Sequence, residues 1–264
     1  MFTMNTILAI VIIAIGLAGA FLLGAIPWGV IIGYKVAHID IREHGSGNIG
    51  TTNSARVMGA GPGAAVMVLD IAKGSVGVLF AQLMCVFAQM LIGSGDFAME
   101  LSFEVVREVS IALALAAVIL GHLFSPFLGW KGGKGIATAF GGMLPCMPLT
   151  AALCLACFIL LCVITKRVSA GSIAGAFAFI AGTLIFYTDR IPFVIVSIVM
   201  AGFILYAHRE NIKRLMHGEE KKFSLGSKEK AQKAAEEEAE AAKAEPEAEV
   251  IEAVAVDGEE PKGE

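Results

Sequence analysis

Residues 136–165 read IATAFGGMLPCMPLTAALCLACFILLCVIT, and the number of times they cross a bilayer decides the architecture of the chain. The stretch is apolar throughout, but Pro145 and Pro148 interrupt it. Proline lacks the amide hydrogen that an interior helical turn needs and disfavours helix at the residue before it. The stretch is therefore either one kinked crossing or a short hairpin folded between the two prolines. Each arm of a hairpin would hold about 14–16 residues, roughly 21–24 Å at the helical rise, which a locally thinned bilayer or a recessed site tolerates.

The flanking segments choose between the two. Three polar stretches stand out from the apolar background: HGSGNIGTTNSARVMG at 44–59, KGGKG at 131–135 and HRENIKRL at 208–215. If all three act at one membrane face, an even number of crossings must separate the last two. A single helix over 136–165 gives three crossings and a hairpin gives four, so the hairpin is the consistent reading. It also puts Lys166 and Arg167 on the same face as Lys35, Arg42, Arg56, Lys131, Lys134, Lys213 and Arg214, with the mostly acidic segment 93–108 opposite. Excess Lys and Arg marks the cytoplasmic side. Further spans are expected over 6–34 with a bend at Pro27, 63–92, 109–129, 169–188 and 191–208. The expected fold is an all-α polytopic membrane protein of seven transmembrane helices with short cytoplasmic glycine-rich loops, N-terminus outside and C-terminus inside.

Composition agrees. Of 264 residues, 56% are hydrophobic and 17% charged, and the mean hydropathy is +0.75. Soluble domains carry fewer apolar and more charged residues. The formal charge of −4 averages two regions: residues 1–218 carry an excess of 4 positive charges and 219–264 an excess of 8 negative ones. The first region is read as the integral membrane domain. The second, rich in Ala, Glu and Lys, holds too few large apolar residues to build a core and is read as a disordered tail. The apolar run from Ile7 to Ile32 is too long for the core of a cleavable signal and no basic segment precedes it. The five cysteines all lie in apolar segments; Cys154 and Cys157 form C-x-x-C with no second pair or nearby histidine, so they read as packing residues.

Several familiar chemistries drop out. GSGNIG at 45–50 fits a dinucleotide-binding glycine pattern but follows a membrane span rather than a strand. Gly133–Lys134 resembles the end of a phosphate-binding P-loop, yet residue 128 is leucine and residue 135 is glycine. No histidine is followed five residues later by the aspartate that many acyltransferases use. No metal-ligand spacing is present and no cofactor or nucleic-acid partner is indicated. What remains suits phosphate. Glycine-rich turns expose N–H groups that form anion-binding concavities, and Arg56, Lys131 and Lys134 supply positive charge beside them. Arg56 carries a planar fork matched to phosphate oxygens. Asp70 and Lys73, three apart on one helical face, read as a structural ion pair. His208 and Asn211 share a face that could meet a ligand, while Glu210 points elsewhere and is left for structural pairing. His122 reads as a hydrogen-bonding residue inside the bundle.

Four stretches in order, GSGNIGTTNSARVMG, DIAKG at 70–74, GHLFSPFLGWKGGKGIATAFG and HRENIKRL, resemble the bacterial acyl-phosphate:glycerol-3-phosphate acyltransferase family, PlsY, over residues 6–217. The resemblance implies an integral membrane enzyme of seven helices. Such an enzyme moves an acyl group from acyl phosphate to the 1-hydroxyl of sn-glycerol 3-phosphate, giving lysophosphatidic acid and inorganic phosphate without a cofactor. It further implies catalytic roles for Ser46, Arg56, Lys134, His208 and Asn211. Phosphate binding would fall to Gly47, Asn48, Asn53, Gly132, Gly133, Gly135 and Ser172, with Ser169 as the alternative serine, and structural support to Asp70, Lys73 and Glu210. The implied partners are the two substrates, membrane lipid and the acyl-phosphate-synthesising enzyme PlsX, and the implied place is the bacterial inner membrane with the site facing the cytoplasm. Thr51 and Trp130 depart from the usual alanine and phenylalanine without removing a donor. The competing class is a transporter of organic phosphates. Transporters usually carry internal repeats and interrupted helices at the midplane; no convincing repeat is visible, and the polar motifs cluster at one face.

Overall fold

The computed structural model describes residues 4–92 and 97–222, with the backbone alone for 97–102. Among these residues ten α-helices follow in order: α1 Met4–Ala25, α2 Trp28–Ile32, α3 Thr51–Met58, α4 Ala60–Ile92, α5 Phe97–Leu123, α6 Ile136–Met143, α7 Pro148–Thr165, α8 Val168–Phe186, α9 Ile191–Ala207 and α10 Arg209–Met216. The disordered-tail expectation covers residues 219–264; residues 219–222 are described, with Glu219 and Glu220 hydrogen-bonded to Arg214, and 223–264 lie outside the described part.

Among the described residues five helices are long and apolar enough to cross a membrane. A sixth span arises if α9 and α10, bent by 63° where they meet at His208, are taken together. Length and composition thus count five or six spans among the described residues, where seven were expected. The difference lies in the 136–165 hairpin. Its two arms were expected to be nearly equal, but α6 has 8 residues and α7 has 18. At the helical rise α6 is only about 12 Å long. Pro148 occupies the first turn of α7, where its missing N–H costs nothing. The α6 helix stops at Met143, two residues before Pro145, and is pressed onto α4. A Cβ on Gly74 would lie 2.2 Å from the Thr138 carbonyl oxygen, and one on Gly141 2.0 Å from that of Ile71. Small residues at such crossings let membrane helices meet backbone to backbone.

The expected first span also divides. Pro27 ends α1, and the buried carbonyls of the broken end find partners elsewhere. Ser125 Oγ donates to Ala25 O at 2.7 Å, and Lys73 Nζ donates to Ile26 O at 2.7 Å. A helix end inside a bundle needs such partners, since an unpaired buried carbonyl is costly.

Helix α5 is the axis of the bundle. In its most apolar 18-residue stretch 61% of positions are buried, against 17–44% for the other four long spans. Helices α1, α4 and α6 pack on one side of it and α9 on another, with α8 against α9 and α7 against α8. Leu115, Val118, Ile119, Phe179, Phe193 and Ile204 fill the core between them. Large apolar side chains such as Ile10, Leu79, Leu160 and Ile185 stay on the outside, as a lipid-facing surface requires.

Candidate functional site

A cavity of about 830 Å³ opens at the end of the bundle where the polar segments meet. Its walls include Ser46, Gly47, Asn48, Asn53, Arg56, Asp70, Lys134, Gly135, Ser172, His208, Glu210 and Asn211, so most of the residues singled out in the sequence share one space. Lys73, Gly132 and Gly133 are not on its surface. The cavity changes character with depth. Along one face of α8 the lining runs Ser169, Ser172, Gly175, Ala176, Phe179, from hydroxyl to aromatic over about 15 Å. Met67, Phe140, Met143, Leu155 and Phe158 continue the apolar part.

The loop before α3 is shaped by its own side chains. Asn53 is 1% exposed, and both ends of its amide are engaged. Its Oδ1 accepts from Ser46 N at 2.8 Å, and its Nδ2 donates to His44 O at 3.0 Å and Ile41 O at 3.3 Å. Asn48 Oδ1 accepts from Gly50 N at 2.9 Å. These two asparagines fold the turn, and Ser46 and Arg56 stand exposed on it at the cavity edge.

The lysine–glycine loop corrects one expectation. The N–H groups of Gly132 and Gly133, read as phosphate donors, are instead bonded to Leu123 O and His122 O, each at 3.0 Å. They cap the carbonyl end of α5, which would otherwise be left unpaired. What Gly133 supplies is close approach: a Cβ there would lie 2.2 Å from His122 Nε2. The loop is thereby locked against α5, and Lys134 projects into the cavity. Lys134 Nζ donates to Asn211 Oδ1. Burial holds the Lys134 ammonium below the usual lysine range, with Arg214 and Arg56 adding to that effect and the Glu220 charge opposing it.

The helix break at His208 presents the third motif. His208 is 3% exposed, and its Nδ1 lies 2.8 Å from Ile204 O. A carbonyl only accepts, so Nδ1 carries the hydrogen and Nε2 is left as the basic nitrogen. Burial lowers its pKa to about 4, with Lys134 adding to the fall and the Ile204 and Glu220 contacts opposing it, so the ring is neutral near pH 7. Asn211 is held between Lys134 and Glu220, donating from Nδ2 to Glu220 Oε1 at 2.7 Å. Ser172 Oγ donates back to Val168 O at 3.0 Å and sits on the cavity wall beside Ser169. Glu210 lies at the rim, 3.5 Å from Lys213 Nζ and 3.8 Å from Arg209 Nε.

Three further groups line the cavity. His122, read as a hydrogen-bonding residue inside the bundle, is one, and it also lies on the cavity wall. Lys73 Nζ approaches its Nδ1 at 2.9 Å and Asp70 Oδ1 at 2.8 Å, while Thr138 Oγ1 lies 3.2 Å from the same ring nitrogen. Arg214 and Glu220 also line the cavity. Glu220 belongs to a stretch whose composition resembles the tail, so nothing in the sequence marks it.

Known proteins match this arrangement. A family model described as glycerol-3-phosphate acyltransferase covers residues 13–218. Curated relatives bearing that name include one from Fusobacterium nucleatum, 39% identical over 77% of this chain and 94% of its own length. Another, from Geobacillus kaustophilus, is 36% identical over 77% of this chain and 92% of its own. A crystal structure of PlsY (YgiH), an integral membrane glycerol 3-phosphate acyltransferase in its glycerol 3-phosphate form, superposes with a TM-score of 0.65 at 31% identity, covering 80% of this chain and 96% of the other. Its lysophosphatidic acid form gives 0.64 at 30% identity. With the motifs of three separate segments gathered on one cavity and the match running through nearly the whole membrane body, the chain belongs to the glycerol-3-phosphate acyltransferase family of integral membrane enzymes, PlsY.

Proposed function

We propose that this acyltransferase takes its acyl group from acyl phosphate and transfers it to the 1-hydroxyl of sn-glycerol 3-phosphate, releasing lysophosphatidic acid and inorganic phosphate. One observation carries the reading: a single cavity with a cationic, hydroxyl-lined mouth and an apolar depth. Such a cavity suits two phosphorylated substrates of which one has a long hydrocarbon chain.

Acyl phosphate is already activated, because phosphate leaves readily with the electron pair of the broken C–O bond. The protein has mainly to align the glycerol hydroxyl with the acyl carbon and to neutralise phosphate charge. Arg56 and Lys134 serve the charge, and Ser46 with the loop Gly47, Asn48 and Gly135 serves the oxygens. Ser172 extends that polar wall. The glycerol hydroxyl oxygen forms the new ester bond, and its proton passes to His208 Nε2 or to a phosphate oxygen of a substrate.

In this reading α1 and α4 to α9 are seven membrane-embedded helices, with α6 entering the bilayer and α7 returning to the same face. The N-terminus is then outside, and the basic loops and the cavity mouth face the cytoplasm across the inner membrane. Support comes from the gathering of Arg56, Lys134 and Arg214 at one end of the bundle. PlsX would supply acyl phosphate at that face.

The test is phosphate release by the purified protein from acyl phosphate, with and without glycerol 3-phosphate, over several acyl lengths. Release that depends on glycerol 3-phosphate and yields lysophosphatidic acid supports the donor assignment; no such product overturns it. Reporter fusions that put Arg56, Lys134 and His208 on different sides of the membrane overturn the topology.

A further inference from the structure

Glu220 lies two residues beyond the end of the family match at 218. Glu220 nevertheless lines the cavity, beside Asn211, which accepts from the Lys134 assigned above to phosphate. Oε1 accepts from Asn211 Nδ2 and Oε2 accepts from Arg214 Nε, each at 2.7 Å. Asn211 in turn accepts from Lys134 Nζ. The side chain is only 11% exposed although it follows the last helix. It is brought there by a reversal of the chain at Gly218, whose φ is +76°. The N–H groups of Glu219 and Glu220 both bond to Arg214 O, and Arg167, at the junction of α7 and α8, donates from Nε to Glu220 O at 3.0 Å. The backbone is thus clipped at two places, and the carboxylate reaches inward from it.

Asn211 and Arg214 are three apart on one face of α10 and present their donors to the two oxygens of one anion. A phosphoryl group offers three oxygens to the same donors and to Lys134. A donor hydrogen already held by Glu220 is not available to a substrate, so the two anions exclude each other. We propose that Asn211, Arg214 and Lys134 form a phosphoryl subsite and that Glu220 is its built-in competitor, which an incoming phosphorylated substrate must displace. Only the side-chain torsions of Glu220 need change, because its clipped backbone can stay. Arg214 becomes an additional substrate-binding residue. The subsite rests on the phosphate-handling reading above but does not depend on the acyl donor.

The test is equilibrium binding of inorganic phosphate to the purified full-length protein, by calorimetry, for wild type, Glu220→Gln and Glu220→Ala. Removing a charge-assisted competitor should tighten phosphate binding about fivefold to thirtyfold. A gain of about threefold or more in both variants supports the proposal. A smaller gain, or weaker binding, overturns it and makes Glu220 a support for Asn211 instead. In an Arg214→Ala/Glu220→Gln double variant the gain should vanish, and a gain that persists overturns the subsite. Monodisperse elution at the wild-type position is the condition for reading either variant. These measurements need no acyl phosphate, so they stand apart from the turnover assay: absence of product there would remove the donor assignment, while the binding ratio still reads the competition.

Discussion

Two polar clusters border the same cavity, and they are built on opposite plans. Asp70, Lys73, His122 and Thr138 lie between α4, α5 and α6, and all four are under 5% exposed. The Lys73 ammonium has three close neighbours: Ile26 O, to which it donates, His122 Nδ1 at 2.9 Å, and the Asp70 carboxylate, with which it forms an ion pair at 2.8 Å. Lys134, Asn211, Arg214 and Glu220 lie at the mouth, where the charges face a space that can take another anion. The first cluster ties backbone together: it receives the broken end of α1 and sets His122 against Gly133. The second holds charge ready to be exchanged. Burial of a polar group is therefore no guide to its role here; whether its partners can be replaced is.

The sharpest way to break this contrast is to open the closed cluster. Lys73→Ala leaves Asp70 buried without its cation, and breaking such a pair costs about 3–5 kcal/mol. Loss of monodisperse protein, or a large fall in thermal midpoint, is the expected result. A paired Asp70→Leu/Lys73→Met replacement should recover most of that stability, since an apolar pair of similar volume is often no worse than a buried ion pair. A single variant as stable as wild type would mean the cluster is not structural.

Lys134→Ala should do the reverse. The protein should insert and elute normally while transfer falls by about 10²–10³-fold, the usual loss for one donor aimed at developing charge. Arg56→Ala should behave in the same way. Near wild-type turnover in either would remove that residue from the site.

A smaller effect is readable by pH. With its pKa lowered to about 4, His208 is neutral through the physiological range and gains a proton only as pH falls towards that value. Nitrogen chemical shifts of labelled histidines should show an imidazole titrating near pH 4 that disappears in His208→Asn. The Lys134 ammonium, held below the usual lysine range, should lose its proton and weaken phosphate affinity before pH 10.5 is reached as pH rises. The least effect is expected at Glu210, whose pairings with Lys213 and Arg209 are solvent-exposed. Glu210→Ala should change stability by less than about 0.5 kcal/mol, measured by thermal unfolding.

Much of this was legible in the sequence, for identifiable reasons. A bilayer demands about 20 apolar residues, and α1, α4, α5, α7 and α8 announce themselves by that length. Pro27 and the proline pair at 145 and 148 marked real breaks. The shortness of α6 was overlooked in a long apolar run: the lysine–glycine loop extends to Gly135, so the helix begins at Ile136 and only 8 helical residues are left before the break. Gly132 and Gly133 were read as ligand donors because glycine-rich loops so often are; the competing demand, capping α5, depends on where that helix ends in space. His122 was legible as a hydrogen-bonding residue inside the bundle, but not its place on the cavity wall, which depends on how α4, α5 and α6 meet. Glu220 was lost for the opposite reason, as one acid among many.

Leu155 lines the cavity and is 42% exposed. It belongs to α7, the least buried of the five long spans, with 17% of its most apolar stretch buried against 22–61% for the others. An acyl chain lying in the apolar part of the cavity would thus run beside the thinnest-packed wall of the bundle, with its charged head at the polar mouth.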